Sequence, residues 1–597
     1  MVSYKGNVGS RLKALRAELE NQNIEGFFVP LTDEHQSEYV APYAGRLSYM
    51  TDFLGSAGSA IITKEKAAIF VDGRYQIQVG DEVDEAHYEI CHLAEITQDV
   101  WLQKSIGEGM SLGYDPQLHT IGWVKNITTL LGNKGAKLVP IEENIIDSIW
   151  EDQPSEPNTP VYAHPDEFAG KSSSLKRQEI AEIIEEKGAD GAVFSALDSI
   201  AWLFNIRSND VLHTPVSLAY AILNNNGSAT LFIDDCKVTD ALEDHLGEDI
   251  LVLPKVDFFG VLNSLGERRA CFLVDPNTAS AAIFNSFESV GGKTIKEMDL
   301  VSIPKSTKNK AELDGTREAH IRDGAALSRF LHWFDNAAPK GGLDELSVAT
   351  KLENFRREDN SFRDHSFRTI SGAGPNGAMC HYSVNEKTNR EIELDSVYLV
   401  DSGAQYPDGT TDVTRTMAVG SPPSDARRNY TLVLKGHIAL STAIFPVGTT
   451  GSELDPFARR PLWEAGLDYD HGTGHGVGSY LAVHEGPVRI SKGPNSAALR
   501  PGMIFSNEPG YYKEGEYGIR IENLVTVVEV ETSGDRSMLG FENLTWAPLD
   551  KNMIDTLILT ESEVQWVNNY HRETFEKISG RMEGDALKWL KDVTSPI

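Results

Sequence analysis

Leu12, Leu15 and Leu19 recur three and four positions apart between Arg11 and Asn21, a pattern that predicts an amphipathic helix with Ser10 as its N-cap. Gly26-Phe27-Phe28-Val29-Pro30 follows as an unbroken apolar run, which predicts a buried strand. The same two-part pattern returns later. A helix is expected over Lys176 to Lys187 with Ile180, Ile183 and Ile184 inward, and Gly191-Ala192-Val193-Phe194 as the strand behind it. Gly26 precedes Asp33 by seven residues and Gly191 precedes Asp198 by seven. Each copy continues into a strand–turn–strand unit, Ala60 to Asp72 across Thr63-Lys64-Glu65-Lys66 and Ala219 to Asp234 across Asn224-Asn225-Asn226-Gly227. Four features recurring in order predict two related α/β domains offset by about 165 residues, and the Pro-rich polar stretch Gln153 to Pro160 reads as the linker between them.

A third unit opens near Ile303-Pro304-Lys305-Ser306. Helical periodicity runs over Ala311 to Phe334 and again over Leu346 to Phe355; strand patterns dominate from 366 to 530, and helix returns over Glu561 to Trp589. Inside the strand-rich region, Val397-Tyr-Leu-Val-Asp401 and Thr410-Thr-Asp412-Val-Thr-Arg-Thr416 flank the turn residues Pro407-Asp408-Gly409. A hairpin closing there puts Asp401 and Asp412 roughly opposite each other. Two carboxylates on one face repel unless a cation or a shared proton lies between them, so this pair alone reads equally as two solvated aspartates or as half of a metal site. Glu508 and Glu522 repeat the arrangement around a turn at Lys513-Glu514-Gly515-Glu516, with Arg520 on the same strand face as Glu522. Between the pairs lies His471-Gly-Thr-Gly-His475-Gly-Val-Gly478, then His484-Glu485-Gly486-Pro487, a glycine-dense loop whose imidazoles could approach a ligand with little obstruction.

Composition narrows the chemistry. With 88 acidic against 55 basic side chains, a net charge of −33, the chain lacks the basic footprint a nucleic-acid partner needs. Four scattered cysteines (Cys91, Cys236, Cys271, Cys380) make no Cys-x-x-Cys pair and fit a reducing, cytoplasmic setting better than a disulfide framework. The N-terminus shows no secretory apolar core and no apolar run of about 18 residues occurs, so neither secretion nor membrane insertion is expected. Gly109-Met-Ser111-Leu-Gly113 matches a serine-hydrolase pattern, but Ser111 reads as running on into a strand where a nucleophile elbow needs a helix. Cys380-His381 resembles a thiol–imidazole pair; in a strand the two would face opposite ways, which makes Cys380 a buried structural cysteine. Two Asp, two Glu and at least one His within about 120 residues suit two hard divalent ions sharing bridging carboxylates, ~3.5–4 Å apart, which is hydrolytic chemistry.

In the contexts Asp401-Ser-Gly-Ala-Gln-Tyr-Pro-Asp-Gly-Thr-Thr-Asp412, His471-Gly-Thr-Gly-His475-Gly, Ser506-Asn-Glu508-Pro-Gly and Ile519-Arg-Ile-Glu522-Asn, this set closely resembles the pita-bread metallopeptidases, and among them the long, three-domain Xaa-Pro aminopeptidases. Tyr49 to Gly58, Asp72-Gly-Arg-Tyr75, Ala196 to Leu203, Gly374 to Ala378 and Trp566 to His571 extend the resemblance over nearly the whole chain. It departs at Arg207-Ser-Asn-Asp210, where a glycine is common. The resemblance implies an α/β (α+β) protein: two creatinase-type α/β domains over 1–156 and 157–305, then a pita-bread catalytic domain with a C-terminal helical extension over 306–597. It implies removal of the N-terminal residue from peptides with proline second, by a water or hydroxide between two metal ions, in a cytoplasmic homodimer with no nucleic-acid or membrane partner. Asp401 would bind one ion, His475 and Glu508 the other, and Asp412 and Glu522 would bridge. Manganese is favoured, with zinc or cobalt as alternatives. Glu508 would also carry the proton from the water to the leaving nitrogen. His484 would meet the scissile carbonyl, His381 and His471 would line the proline pocket and aid proton transfer, and Arg520 would hold Asp401. Rival readings are a prolidase acting on Xaa-Pro dipeptides, a methionine aminopeptidase, a metal-free creatinase-like hydrolase, and a non-catalytic pita-bread scaffold that binds peptides.

Overall fold

In the computed structural model, which describes Tyr4 and residues 7–597, the chain divides into two compact units. One ends at Asp166 and resumes over Lys171–Ser302; the other comprises Glu167–Gly170 and Ile303–Ile597.

The first unit holds two sheets of one design. Helix α1 (Val8–Asn21) buries Leu12, Leu15 and Leu19. It begins before the expected Arg11 because Asn7, not Ser10, is its cap: Asn7 Oδ1 accepts from the Ser10 N–H at 2.9 Å. Strands β1 (Gly26–Pro30), β2 (Ser59–Thr63), β3 (Ala67–Val71), β4 (Glu89–His92), β5 (Ser111–Tyr114) and β6 (Lys137–Pro140) line up as β4-β3-β2-β1-β5-β6. After α2 (Ser173–Glu186), strands β7 (Gly191–Phe194), β8 (Tyr220–Asn224), β9 (Ala229–Phe232), β10 (Ile250–Leu253), β11 (Cys271–Val274) and β12 (Lys293–Lys296) repeat that order as β10-β9-β8-β7-β11-β12. In each sheet the first strand runs antiparallel to the second and parallel to the fifth. The central strands read as unbroken apolar runs because both faces are covered: Phe27 and Val29 pack on one side of β1, Phe28 on the other with Trp101 and Leu112. Ser111 opens a strand and no helix directly follows it, so its Gly-x-Ser-x-Gly setting lacks the strand–turn–helix corner a nucleophile requires.

In the second unit, α3 (Lys310–Ala337) starts with a capping box in which Asn309 and Glu312 satisfy each other's backbone N–H groups. With α4 (Glu345–Arg357) it covers a sheet of β13 (Ile370–Ala373), β14 (Ser396–Ser402) and β17 (Val413–Val419); β15 (Ala404–Tyr406) and β16 (Gly409–Thr410) lie between the last two in sequence. Leu327, Phe330 and Phe334 of α3 meet Leu352 of α4 and Tyr398, Val400 and Met417 of the sheet. Two helices then interrupt the region expected to be mainly strand: α5 (Ser424–Ser441) and α6 (Gly451–Trp463). Each had a reason to escape notice. α5 is buried nearly all round, which blurs the 3.6-residue stripe, and α6 carries Pro456 and Pro461 internally, which read as breakers. Strands β18 (Phe445–Pro446), β19 (Gly474–Gly476), β20 (Glu485–Ile490), β21 (Ile504–Asn507), β24 (Asn523–Val530) and β25 (Met538–Asn543) form a sheet in the order β18-β25-β24-β21-β19-β20, and β22 (Gly510–Lys513) pairs with β23 (Tyr517–Arg520). The C-terminal helix expected as one piece is two, α7 (Glu561–Ile578) and α8 (Gly584–Val593), parted around Ser579-Gly580-Arg581 with Gly584 at φ +59°. Val567 and Tyr570 of α7 pack with Tyr430 and Val433 of α5 and with Tyr517 and Ile519 of β23.

Candidate metal centre

The β14–β17 hairpin sets the first pair of acids. Asp401 lies opposite Thr414, and Tyr406 opposite Gly409, so Pro407-Asp408 is the turn. Asp412 therefore sits diagonal to Asp401, not directly across as the sequence midpoint suggested. The diagonal offset is two residues, which keeps both side chains on one face. The second pair is matched more closely. Asn507 pairs with Asn523 and Gly510 with Arg520, so Glu508 and Glu522 occupy equivalent positions in the gap between two ladders.

His475 comes from β19. The glycines around it serve backbone packing and not an open loop: a Cβ on Gly474 would lie 1.9 Å from the Ser506 carbonyl oxygen, and one on Gly476 2.3 Å from that of Glu485. The β19–β20 ladder slips after His475, from His475 opposite Arg489 to Gly476 opposite Glu485. This irregularity returns His484 to the site, with its ring centroid 4.3 Å from that of His475 and the planes at 76°.

Donor atoms of Asp412, His475 and Glu522 lie within 4.8 Å of one another. His475 Nδ1 donates to the Gly476 carbonyl at 2.9 Å, leaving Nε2 3.4 Å from Asp412 Oδ2 and 3.6 Å from Glu508 Oε1. Asp401 joins through Arg520, whose Nη2 donates to Asp401 Oδ2 at 2.6 Å while its Nε donates to Thr414 Oγ1 at 3.0 Å; Thr414 in turn donates to Glu522 Oε2 at 2.7 Å. Asp401 Oδ1 and Asp412 Oδ1 are buried with no hydrogen-bond donor among the described residues.

Four carboxylates share this space, and the raised proton affinities of Asp401, Glu508 and Glu522 show the strain. Burial pushes Asp401 up to about 6, with Arg520 opposing and Asp412 adding. Burial raises Glu508, opposed by His475 and Arg520; it raises Glu522 far more, with Asp412, Asp401 and Glu508 adding. Burial works against a proton on His475, yet Asp412 and Glu508 beside it lift the ring to about 9. The imidazolium thus occupies the place of a cation among acids. Two orphaned carboxylate oxygens, an acid-rich donor set and a proton held where positive charge is needed fit hard divalent ions.

The flanking residues carry a correction. Tyr512, which sequence reasoning passed over, receives a hydrogen bond from Arg520 Nη1 at 2.5 Å, so its own proton goes to His471 Nε2 at 2.8 Å. His471 Nδ1 then donates to the Gly472 carbonyl at 2.7 Å. Both His471 nitrogens are committed within the protein. The alternation of β22 held the missing signal, since Gly510 and Tyr512 share a face with Glu508 and stand across from Arg520 and Gly518. His381 follows the turn over Gly374–Ala378 and is half-buried. Cys380 does not face away from it as expected for a strand: the segment is a turn, Cys380 Sγ lies 3.4 Å from His381 Nδ1, and Cys380 is only half-buried.

Comparison with known proteins matches the chain to family models along nearly its whole length. Models of the Creatinase/Prolidase N-terminal domain match residues 11–149 and 152–312, Metallopeptidase family M24 matches 314–529, and the C-terminal region of peptidase M24 matches 537–597. A probable Xaa-Pro aminopeptidase P of Paracoccidioides lutzii is 42% identical over 99% of this chain and 99% of its own. Its counterpart from Neosartorya fischeri is 41% identical over 99% of this chain and 93% of its own. The crystal structure of X-prolyl aminopeptidase from Caenorhabditis elegans, described as a cytosolic enzyme with a di-nuclear active site, superposes with a TM-score of 0.96 at 33% identity, covering 99% of this chain and all of that one.

Proposed function

The chain belongs to metallopeptidase family M24, with the creatinase/prolidase N-terminal domains of its Xaa-Pro aminopeptidase P relatives, and from that membership we propose that it removes the first residue from peptides whose second residue is proline. One observation carries the hydrolytic reading: the Asp412–His475–Glu522 cluster with Asp401 beside it, in which Asp401 Oδ1 and Asp412 Oδ1 lack donors among the described residues.

Asp401, Asp412, His475, Glu508 and Glu522 would hold two divalent cations, with manganese favoured over zinc or cobalt by the carboxylate-rich set. When bound, such ions activate a water and polarise the peptide carbonyl. Glu508 takes the proton released by the attacking water and passes it to the leaving proline nitrogen; its raised proton affinity suits a group that must both accept and give. Arg520 keeps Asp401 ionised and oriented. His484, beside His475, donates to the substrate carbonyl oxygen as charge develops there. His381 lines the proline pocket. His471 offers that pocket its ring and not a ring nitrogen, since both are spent on Gly472 and Tyr512. Among the described residues no helix is long and apolar enough to cross a membrane, and we place the enzyme in the cytoplasm, as a homodimer by family analogy.

The test offers manganese-loaded protein Xaa-Pro dipeptides alongside longer Xaa-Pro-Yaa peptides. Release of the first residue from the longer peptides is expected. Cleavage of dipeptides alone would make the protein a prolidase, and peptide binding without cleavage would make it a scaffold.

A further inference from the structure

Immediately after His484, Glu485 buries its carboxylate at 1% side-chain exposure between two lysines that are themselves 3% and 1% exposed. Lys305 Nζ donates to Glu485 Oε1 at 3.1 Å, and Lys308 Nζ donates to Oε2. Both lysines precede α3, more than 170 residues away in sequence. Their segment is itself tied down: the Lys308 N–H donates to the Gly502 carbonyl at 3.1 Å, and Thr307 bridges to Met503 just ahead of β21. Glu312, also buried, supplies a second negative charge near Lys308.

Removing two ammonium groups and a carboxylate from water costs several kcal/mol per ion, and such clusters are on balance seldom better for stability than apolar packing. What this one does hold is a position. Glu485 is the residue at which the β19–β20 ladder re-forms after its slip, opposite Gly476, whose carbonyl fixes the His475 ring. The backbone of Glu485 packs against Gly476 so tightly that a Cβ there would meet it at 2.3 Å. His475 and His484, 4.3 Å apart ring to ring, therefore lie on either side of the point the lysines grip.

We propose that Lys305 and Lys308 are positioning residues for the reaction: by clamping Glu485 they hold the His484 ring against His475, and so set where the substrate carbonyl is met. The inference rests on the aminopeptidase reading above. Lys308→Met should lower kcat on Xaa-Pro-Yaa peptides about tenfold or more with KM changed by less than about threefold and metal content unchanged, while Lys308→Arg restores most of the turnover. In a His484→Ala background the same Lys308→Met change should cost nothing further, because the clamp acts through that ring. Where Lys308→Met alone does not fold, Lys305→Met/Lys308→Met/Glu485→Gln removes all three charges and carries the same test. Full turnover in the folded variant, or a loss that multiplies with that of His484→Ala, would overturn the clamp. A second readout needs no activity: in histidine-labelled protein the ring resonances of His475 and His484 should shift in Lys308→Met, and unmoved signals would refute the clamp even if no peptide were cut. An inactive parent protein with shifted signals would sink the aminopeptidase reading and leave the clamp standing.

Discussion

Asp412 has one oxygen with no donor and another 3.4 Å from His475 Nε2, so its charge is the feature the site depends on. Asp412→Asn should lower metal content and activity together, and by more than the about 10–100-fold typical of residues standing behind a ligand. Metal analysis beside peptide kinetics checks this; a variant that keeps both would remove Asp412 from the ligand set. Tyr512 acts one step back. Its hydroxyl joins Arg520 to His471, and burial holds that hydroxyl well above its ordinary value, so it stays a neutral donor. Tyr512→Phe leaves His471 Nε2 without its proton donor, and a loss of turnover of about 10–100-fold with both metals retained is expected. The five acid and imidazole candidates were legible in the chain because each stands in turn or strand chemistry. The bond from Tyr512 to His471 was not, since the alternation of β22 gives the face of Tyr512 but not a partner 41 residues away.

At the level of the element, the β14–β17 hairpin is tied to Arg356 of α4 and Asp323 of α3, both distant from it in sequence. Arg356 of α4 donates to both oxygens of Asp323 at 2.8 and 3.0 Å and reaches the Ser402 and Gly403 carbonyls at 3.4 Å, while Tyr406 donates to Asp323 at 2.9 Å. All of these groups are buried. Arg356→Met strands the Asp323 charge, and chemical denaturation should show a loss of about 3–5 kcal/mol. A loss under about 1 kcal/mol would mean that the pair is dispensable to the hairpin. Pro407-Asp408-Gly409 announced the turn, but the register differed by enough to make the two aspartates diagonal, because turn residues bound a hairpin without counting its loop. Helices α5 and α6 were missed for the opposite reason: burial and internal prolines erased the signal.

For the whole molecule, three buried acids with a half-buried glutamate and histidine make stability depend on pH and metal together. Asp401 is pushed up to about 6 in the fold and His475 to about 9. Each holds its proton more tightly folded than unfolded. The stability they contribute is complete below their ordinary values and is lost as pH rises through about 6 and then about 9. Buried histidines such as His119, His437 and His571, held below their ordinary value, pull the other way with or without metal. The site is therefore read as a difference: from about pH 5.5 to about pH 8.5, protein stripped by a chelator should lose stability relative to manganese-loaded protein. Manganese opens that difference because its ligands bind deprotonated. Parallel pH slopes with and without metal would show that the ion does not take up the site's charge. The amino-acid sequence by itself determined the duplicated α/β design, the two acid-bearing hairpins and the donor types, because periodicity, turn residues and side-chain chemistry are local properties. Only the tertiary structure decided which atoms face one another: Thr414 on Glu522, Tyr512 on His471, and two lysines ahead of α3 on Glu485. Those pairings arise from burial that brings distant segments together, where an unpaired charge or donor would be too costly to leave.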